Sequence, residues 1–133
     1  MLDDAVDALL VARGAMRRML IVEDERDICE ILSEFFTARG FTVTSVFSGE
    51  EALEHLAREP VEVVLLDILL PGLTGLEVLR RAKELQPKVK AVMVSALDHD
   101  DLRWQARRYG ACEYITKPFD FTTATWAAVL APV

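Results

Sequence analysis

Between Val61 and Gly75 the chain reads VEVVLLDILLPGLTG: an apolar run, a single carboxylate at Asp67, then a Pro-Gly turn and a second glycine. A run with so little polar alternation predicts a strand buried on both faces, which is the environment of a parallel sheet covered by helices. Asp67 then stands at the carboxyl end of that strand, the edge where open α/β sheets bind their ligands. Taken alone, an aspartate there serves equally well as a turn or cap residue.

The rest of the chain repeats this alternation. Short apolar runs at Met19–Val22, Phe41–Phe47, Val89–Val94 and Glu113–Thr116 predict four more strands. Between them lie helical patterns. Ile28, Ile31, Leu32, Phe35 and Phe36 share one face of a helix over Arg26–Ala38, stopped at Gly40. Ser48, Gly49, Glu50 and Glu51 form a capping box for a second helix, ended by Pro60. A third begins near Gly75 and breaks at Pro87. A fourth opens at Asp98 and Asp101, turns Leu102, Ala106 and Tyr109 inward and stops at Gly110, and a fifth is expected over Asp120–Leu130.

Five strands and five helices in strict alternation predict a doubly wound α/β domain, with a five-stranded parallel sheet and helices on both faces joined by right-handed crossovers. Leu2–Arg18 precedes it, with Leu2, Val6, Leu9 and Leu10 at helical spacing, acids early and bases late. This divides the chain into an extension over 1–18, a candidate extra helix, and the domain over 19–133.

A net charge of −7 lacks the basic footprint of a nucleic-acid binder, so direct nucleic-acid binding is not expected. Cys29 and Cys112 are far apart and outside any CxxC spacing, which fits buried packing thiols in a reducing compartment. No apolar run is long enough to span a bilayer and the amino terminus is acidic; the expected location is cytoplasmic, with no membrane contact.

A parallel sheet brings the polar residues at its strand ends to one rim: Glu23 and Asp24 after the first strand, Asp67 after the third, Ser95 after the fourth and Lys117 after the fifth. Three neighbouring acids repel one another unless a cation sits among them, and an all-oxygen set suits Mg²⁺ better than Zn²⁺. A lysine and a hydroxyl opposite a metal-bound carboxylate form a setting for a phosphoryl group. The carboxylate between them, Asp67, is the natural nucleophile, and the product is an aspartyl phosphate. Ala96, small, leaves room for the incoming group.

In combination these motifs resemble the receiver domain of two-component response regulators: Glu23-Asp24, the segment DILLPGLTG from Asp67 to Gly75, Ser95-Ala96, and Lys117-Pro118-Phe119. The resemblance covers about Met19 to Leu130. It implies the flavodoxin-like receiver fold with strand order 2-1-3-4-5. It also implies a phosphoryl group taken by Asp67 from a histidine kinase or phosphotransfer protein. Asp24, Asp67 and the Leu69 backbone carbonyl are implied as Mg²⁺ ligands, with Glu23 acting through water. Ser95 would hydrogen-bond the phosphoryl oxygen, Lys117 would pair with it through a loop whose Lys117–Pro118 peptide is cis, and Tyr114 matches the aromatic switch. The output is then a change on the fourth helix, fifth strand and fifth helix that acts on a partner or effector yet to be identified.

The chain departs from the family pattern in several places. Glu23 replaces the more frequent aspartate, Thr74 stands where an acid is common, and Leu69 and Leu97 are apolar at positions flanking the phosphoryl group. Phe121–Val133 carries no charge, so cross-dimer salt bridges there are not expected, although a homodimer stays open. Its apolar residues Trp126, Val129 and Leu130 are expected to meet a partner or the leader helix. A receiver-fold scaffold that binds protein without phosphorylation is the alternative. An aspartate-based phosphatase is disfavoured by Leu69, where that chemistry has a second acid, and a flavodoxin-like electron carrier by the acidic first loop.

Overall fold

The computed structural model describes residues 17–131, so the expected leader helix lies outside the described residues. The elements in chain order are β1 (Arg17–Val22), α1 (Arg26–Thr37), β2 (Phe41–Val46), α2 (Gly49–Arg58), β3 (Val63–Leu66), α3 (Gly75–Leu85), β4 (Lys90–Ser95), α4 (Asp100–Arg108), β5 (Ala111–Thr116) and α5 (Ala127–Leu130). All strand pairs are parallel, in the order β2-β1-β3-β4-β5. This is the expected doubly wound sheet.

The apolar strands sort their side chains onto two cores by the period of two along a strand. Leu20, Val22, Val64, Leu66, Ala91 and Met93 face one side with Ala52 and Leu56 of α2, Val78 and Leu79 of α3, and Ala106 of α4. Met19, Ile21, Val63, Leu65, Val92 and Val94 face the other with Cys29, Leu32 and Phe36 of α1 and with Trp126 and Val129. All four residues of β3 are buried, as the unalternating run requires.

Four details differ from the sequence reading. β1 begins at Arg17, two residues early, because the buried Arg17 guanidinium donates to the carbonyls of Leu130 (3.1 Å) and Ala131 (2.9 Å) and pairs with Glu62 (3.1 Å). The Ser48 cap accepts the Glu51 N–H as expected, but the Glu51 carboxylate accepts from the Ser48 hydroxyl. His99, not Asp98, stands at the N-cap position of α4 and makes no side-chain capping bond, while Asp98 is paired with Arg103. Ile31, Tyr109 and Cys112 are exposed; among the two thiols only Cys29 is a core residue, and burial pushes it up to about 11.

The last helix is the largest correction. Helical pattern was expected from Asp120, but α5 spans only Ala127–Leu130. Asp120 Oδ1 accepts from the Thr122 N–H (3.1 Å) and from the Thr122 and Thr125 hydroxyls (2.8 and 2.6 Å), and such local bonds compete with helix. Its apolar residues do not wait for a partner. Trp126 and Val129 are fully buried in the domain's own core, with the Trp126 ring edge-on to Phe36 (5.3 Å) and Phe119 (5.1 Å) and its Nε1 donating to the Asp120 carbonyl (2.7 Å).

Candidate functional site

Strand register, set by the apolar runs, aligns the ends that carry the polar residues. Val22 pairs with Leu66 across β1 and β3, and Ser95 with Thr116 across β4 and β5. The pairing continues one residue beyond the strands: the Asp67 N–H donates to the Val22 carbonyl (3.1 Å) and the Lys117 N–H to the Ser95 carbonyl (2.9 Å). Glu23, Asp67, Ser95 and Lys117 therefore share one rim.

Glycine at 75 fixes the floor of this rim. A Cβ there would stand 1.9 Å from the Asp67 carbonyl oxygen, and the Gly75 N–H donates to the Ile68 carbonyl at 2.8 Å. The start of α3 can thus pack directly on the backbone of Asp67. Thr74 caps the helix by accepting the Glu77 N–H at 3.3 Å, which accounts for a threonine at that position.

At the centre, the Lys117 ammonium lies 2.9 Å from Asp67 Oδ2 and 2.8 Å from Glu23 Oε2, with Glu25 Oε1 at 3.8 Å. Asp67 and Glu23 are buried, at 4% and 2% exposure, whereas Asp24 faces solvent. The Leu69 N–H donates to Asp67 Oδ1 at 3.1 Å, so both oxygens of the Asp67 carboxylate are held. Glu23, Asp24 and Asp67 each offer a carboxylate oxygen within 4.8 Å of the others. The donor set is all oxygen, as a hard divalent cation requires, and the exposed side of Asp24 leaves room for water ligands.

Burial pushes the Glu23 carboxyl up to about 7 and the Asp67 charge adds to it, while the hydrogen bond from Lys117 opposes both. Burial works against the charge on Lys117 too, but its bonds to Glu23 and Asp67 outweigh that and raise it above the ordinary lysine range. Two acids share one lysine, so the pocket carries an excess of negative charge. A cation would relieve it.

Ser95 is fully buried at the end of β4, and its hydroxyl accepts the Leu97 N–H at 3.2 Å. Tyr114 is half-buried on β5 and its hydroxyl donates to the Leu97 carbonyl; burial raises the phenol, with the Ser95 hydroxyl and Arg103 offsetting part of the effect. The Lys117–Pro118 peptide is cis, as expected. A groove lined by Glu25, Ile28, Ile31, Ala96, Lys117 and Phe119 opens beside the rim.

The sequence reading did not single out Glu25 as a neighbour of Lys117, nor Arg103, whose Nη2 donates to the Thr116 hydroxyl at 2.9 Å while its Nε bonds Asp98. The Asp98–Arg103 spacing of five residues is not a helical pairing distance, so pattern alone carries no signal of it.

A doubly wound sheet with acids, a hydroxyl and a lysine on one rim defines the class, and comparison with known proteins gives the family. The family described as Response regulator receiver domain matches residues 19–127, and the chain belongs to it. It is 38% identical over 102 residues to the uncharacterized transcriptional regulatory protein YkoG of Bacillus subtilis, covering 77% of this chain and 45% of that protein. It is 31% identical over 103 residues to sporulation initiation phosphotransferase F of the same organism, covering 77% and 83%. The CheY-like receiver domain of Methanospirillum hungatei superposes with a TM-score of 0.78 at 29% identity, covering 80% and 85%. The chain spans under half the length of YkoG, a transcriptional regulator by its name. Among the described residues no helix is long and apolar enough to cross a membrane.

Proposed function

We propose that this domain is a phosphoacceptor: a histidine kinase or phosphotransfer protein places a phosphoryl group on Asp67, and the altered surface acts on an output partner or effector. The observation that carries the reading is the Lys117 ammonium, 2.9 Å from Asp67 Oδ2 inside a buried acidic pocket. A positive donor already rests where the charge of a phosphoryl group would collect.

In this reading an Asp67 carboxylate oxygen forms the new O–P bond as the N–P bond to the donor histidine breaks, and the electron pair leaves with the imidazole. Lys117 turns from the carboxylates to the incoming oxyanion, and the Ser95 hydroxyl donates to another phosphoryl oxygen. Asp24, Asp67 and the Leu69 carbonyl would hold Mg²⁺, with Glu23 acting through water; the ion supplies charge neutralisation for the transferring group. Tyr114, bonded to the loop that follows Ser95, carries the change to α4, β5 and α5. Intact mass after exposure to a small phosphodonor tests the reading: an added phosphoryl group that depends on Asp67 supports it, and an addition that survives loss of Asp67 contradicts it.

Glu23 supplies a test of the metal site. Its raised carboxyl means that the folded domain holds an extra proton between the ordinary carboxylate range, 4.5, and about 7. Without metal, this group therefore makes the domain less stable as pH rises through that window. A cation needs Glu23 ionised, so the melting-temperature gain from Mg²⁺ should be larger near about pH 8 than near about pH 5.5. Glu23→Gln should flatten the difference. An equal gain at both pH values in the wild type would contradict this placement of Glu23.

A further inference from the structure

Arg103 belongs to none of the roles above, yet its side chain joins three elements. From α4 its Nε donates to Asp98 Oδ1 at 2.6 Å, in the loop after β4, and its Nη2 donates to the Thr116 hydroxyl at 2.9 Å, at the end of β5. The guanidinium also lies over the Tyr114 ring, 4.7 Å from its centroid.

These contacts close a chain that begins at the site. The Ser95 hydroxyl accepts the Leu97 N–H, the Leu97 carbonyl accepts the Tyr114 hydroxyl, and Arg103 holds both the Tyr114 ring and Asp98, the neighbour of Leu97. The loop Ser95–Asp98 is thus pinned at its start by β4 and at its end by Arg103. Only an arginine can make this arrangement, because two bonds in different directions need the planar fork and the stacked contact needs a flat cation.

A partly exposed ion pair adds little to folding stability. Couplings of the usual size between distinct sites alter affinity about 5-fold or more.

We propose that Arg103 is a positioning residue of the phosphoryl site: by holding Asp98, Thr116 and Tyr114 together, it keeps the Ser95–Asp98 loop in the position that binds a phosphoryl oxyanion most tightly. The inference rests on the phosphoacceptor reading and adds to it a residue that touches neither the phosphoryl group nor the metal ligands.

The test uses beryllium fluoride as the phosphoryl analogue, titrated calorimetrically with Mg²⁺ present into wild type, Arg103→Gln, Arg103→Lys, Asp98→Asn, Tyr114→Phe and the double variant Arg103→Gln/Tyr114→Phe. Arg103→Gln should weaken the analogue's affinity about 5-fold or more, and Arg103→Lys and Asp98→Asn should shift it in the same direction. In the Tyr114→Phe background, where the bond to Leu97 is already gone, Arg103→Gln should cost less than it does in the wild type, so that the two effects fall short of multiplying. A merely structural Arg103 gives unchanged affinity in the folded variant, or effects that multiply in full in the double variant; either result overturns the proposal. Absence of binding by the wild type would remove the phosphoacceptor reading and this inference together, whereas equal binding by wild type and Arg103→Gln would remove the inference alone.

Discussion

Lys117→Met is expected to do two things at once. Removing the ammonium leaves the buried carboxylates of Glu23 and Asp67 with no positive partner at 2.8 and 2.9 Å, and breaking a buried pair in this way costs about 3 kcal/mol or more. The sign with pH follows from Glu23. Lys117 is the group that opposes the rise of its carboxyl, so without it Glu23 holds its proton to a pH higher than about 7. On top of the part due to the lost Asp67 pair, the variant's deficit in stability should therefore grow from about pH 5 toward about pH 8, and Mg²⁺ should restore part of it. Capture of a phosphoryl group should slow by about 100-fold or more, the scale expected for losing a preorganised charge. Denaturant midpoints at the two pH values and the rate of mass gain with a phosphodonor check both effects. A deficit independent of pH would show that Lys117 does not compensate Glu23.

Trp126→Ala should destabilise the domain by about 3–5 kcal/mol, as expected for deleting a large buried ring. Trp126 is fully buried against Phe36 and Phe119, and its Nε1 bonds the Asp120 carbonyl. That loss is a large part of the stability of a domain of this size, so Trp126→Phe is the companion variant. It keeps most of the apolar contact but leaves the Asp120 carbonyl without its donor, at a cost of about 1–3 kcal/mol. Urea unfolding followed by far-ultraviolet circular dichroism measures both. A change below about 1 kcal/mol for Trp126→Ala would mean that the segment after Phe119 is not part of the core.

Much of this could be read in the sequence because the signals were local and repeated. Apolar runs and helical spacing indicated the order and type of the ten elements, with the last helix drawn too long, and the register of a parallel sheet follows once apolar runs must be buried on both faces; together they brought Glu23, Asp24, Asp67, Ser95 and Lys117 to one rim. What was not legible depended on contacts between distant segments. The charge-free tail looked like an exposed patch because nothing in its spacing reveals that Phe36 and Phe119 form a socket for Trp126. The helix expected from Asp120 was shortened by hydroxyl bonds to a single carboxylate oxygen, a competition that helical spacing ignores. Arg17 looked like the basic end of a leader helix, yet it opens β1 and holds the carbonyls of the last residues. Arg103 is one of three arginines on α4, nothing in its spacing distinguishes it from Arg107 or Arg108, and only its reach to both Asp98 and Thr116 sets it apart.

Intact mass spectrometry after incubation with acetyl phosphate tests Asp67 as phosphoacceptor. Wild type and Asp67→Asn would be compared with and without Mg²⁺. A single added phosphoryl group in the wild type, requiring Mg²⁺ and absent in Asp67→Asn, is the predicted result. An unmodified wild type in which Mg²⁺ binding is separately demonstrated, or a modification that persists in Asp67→Asn, would contradict it and leave the receiver fold acting as a protein-binding scaffold without phosphorylation at this residue.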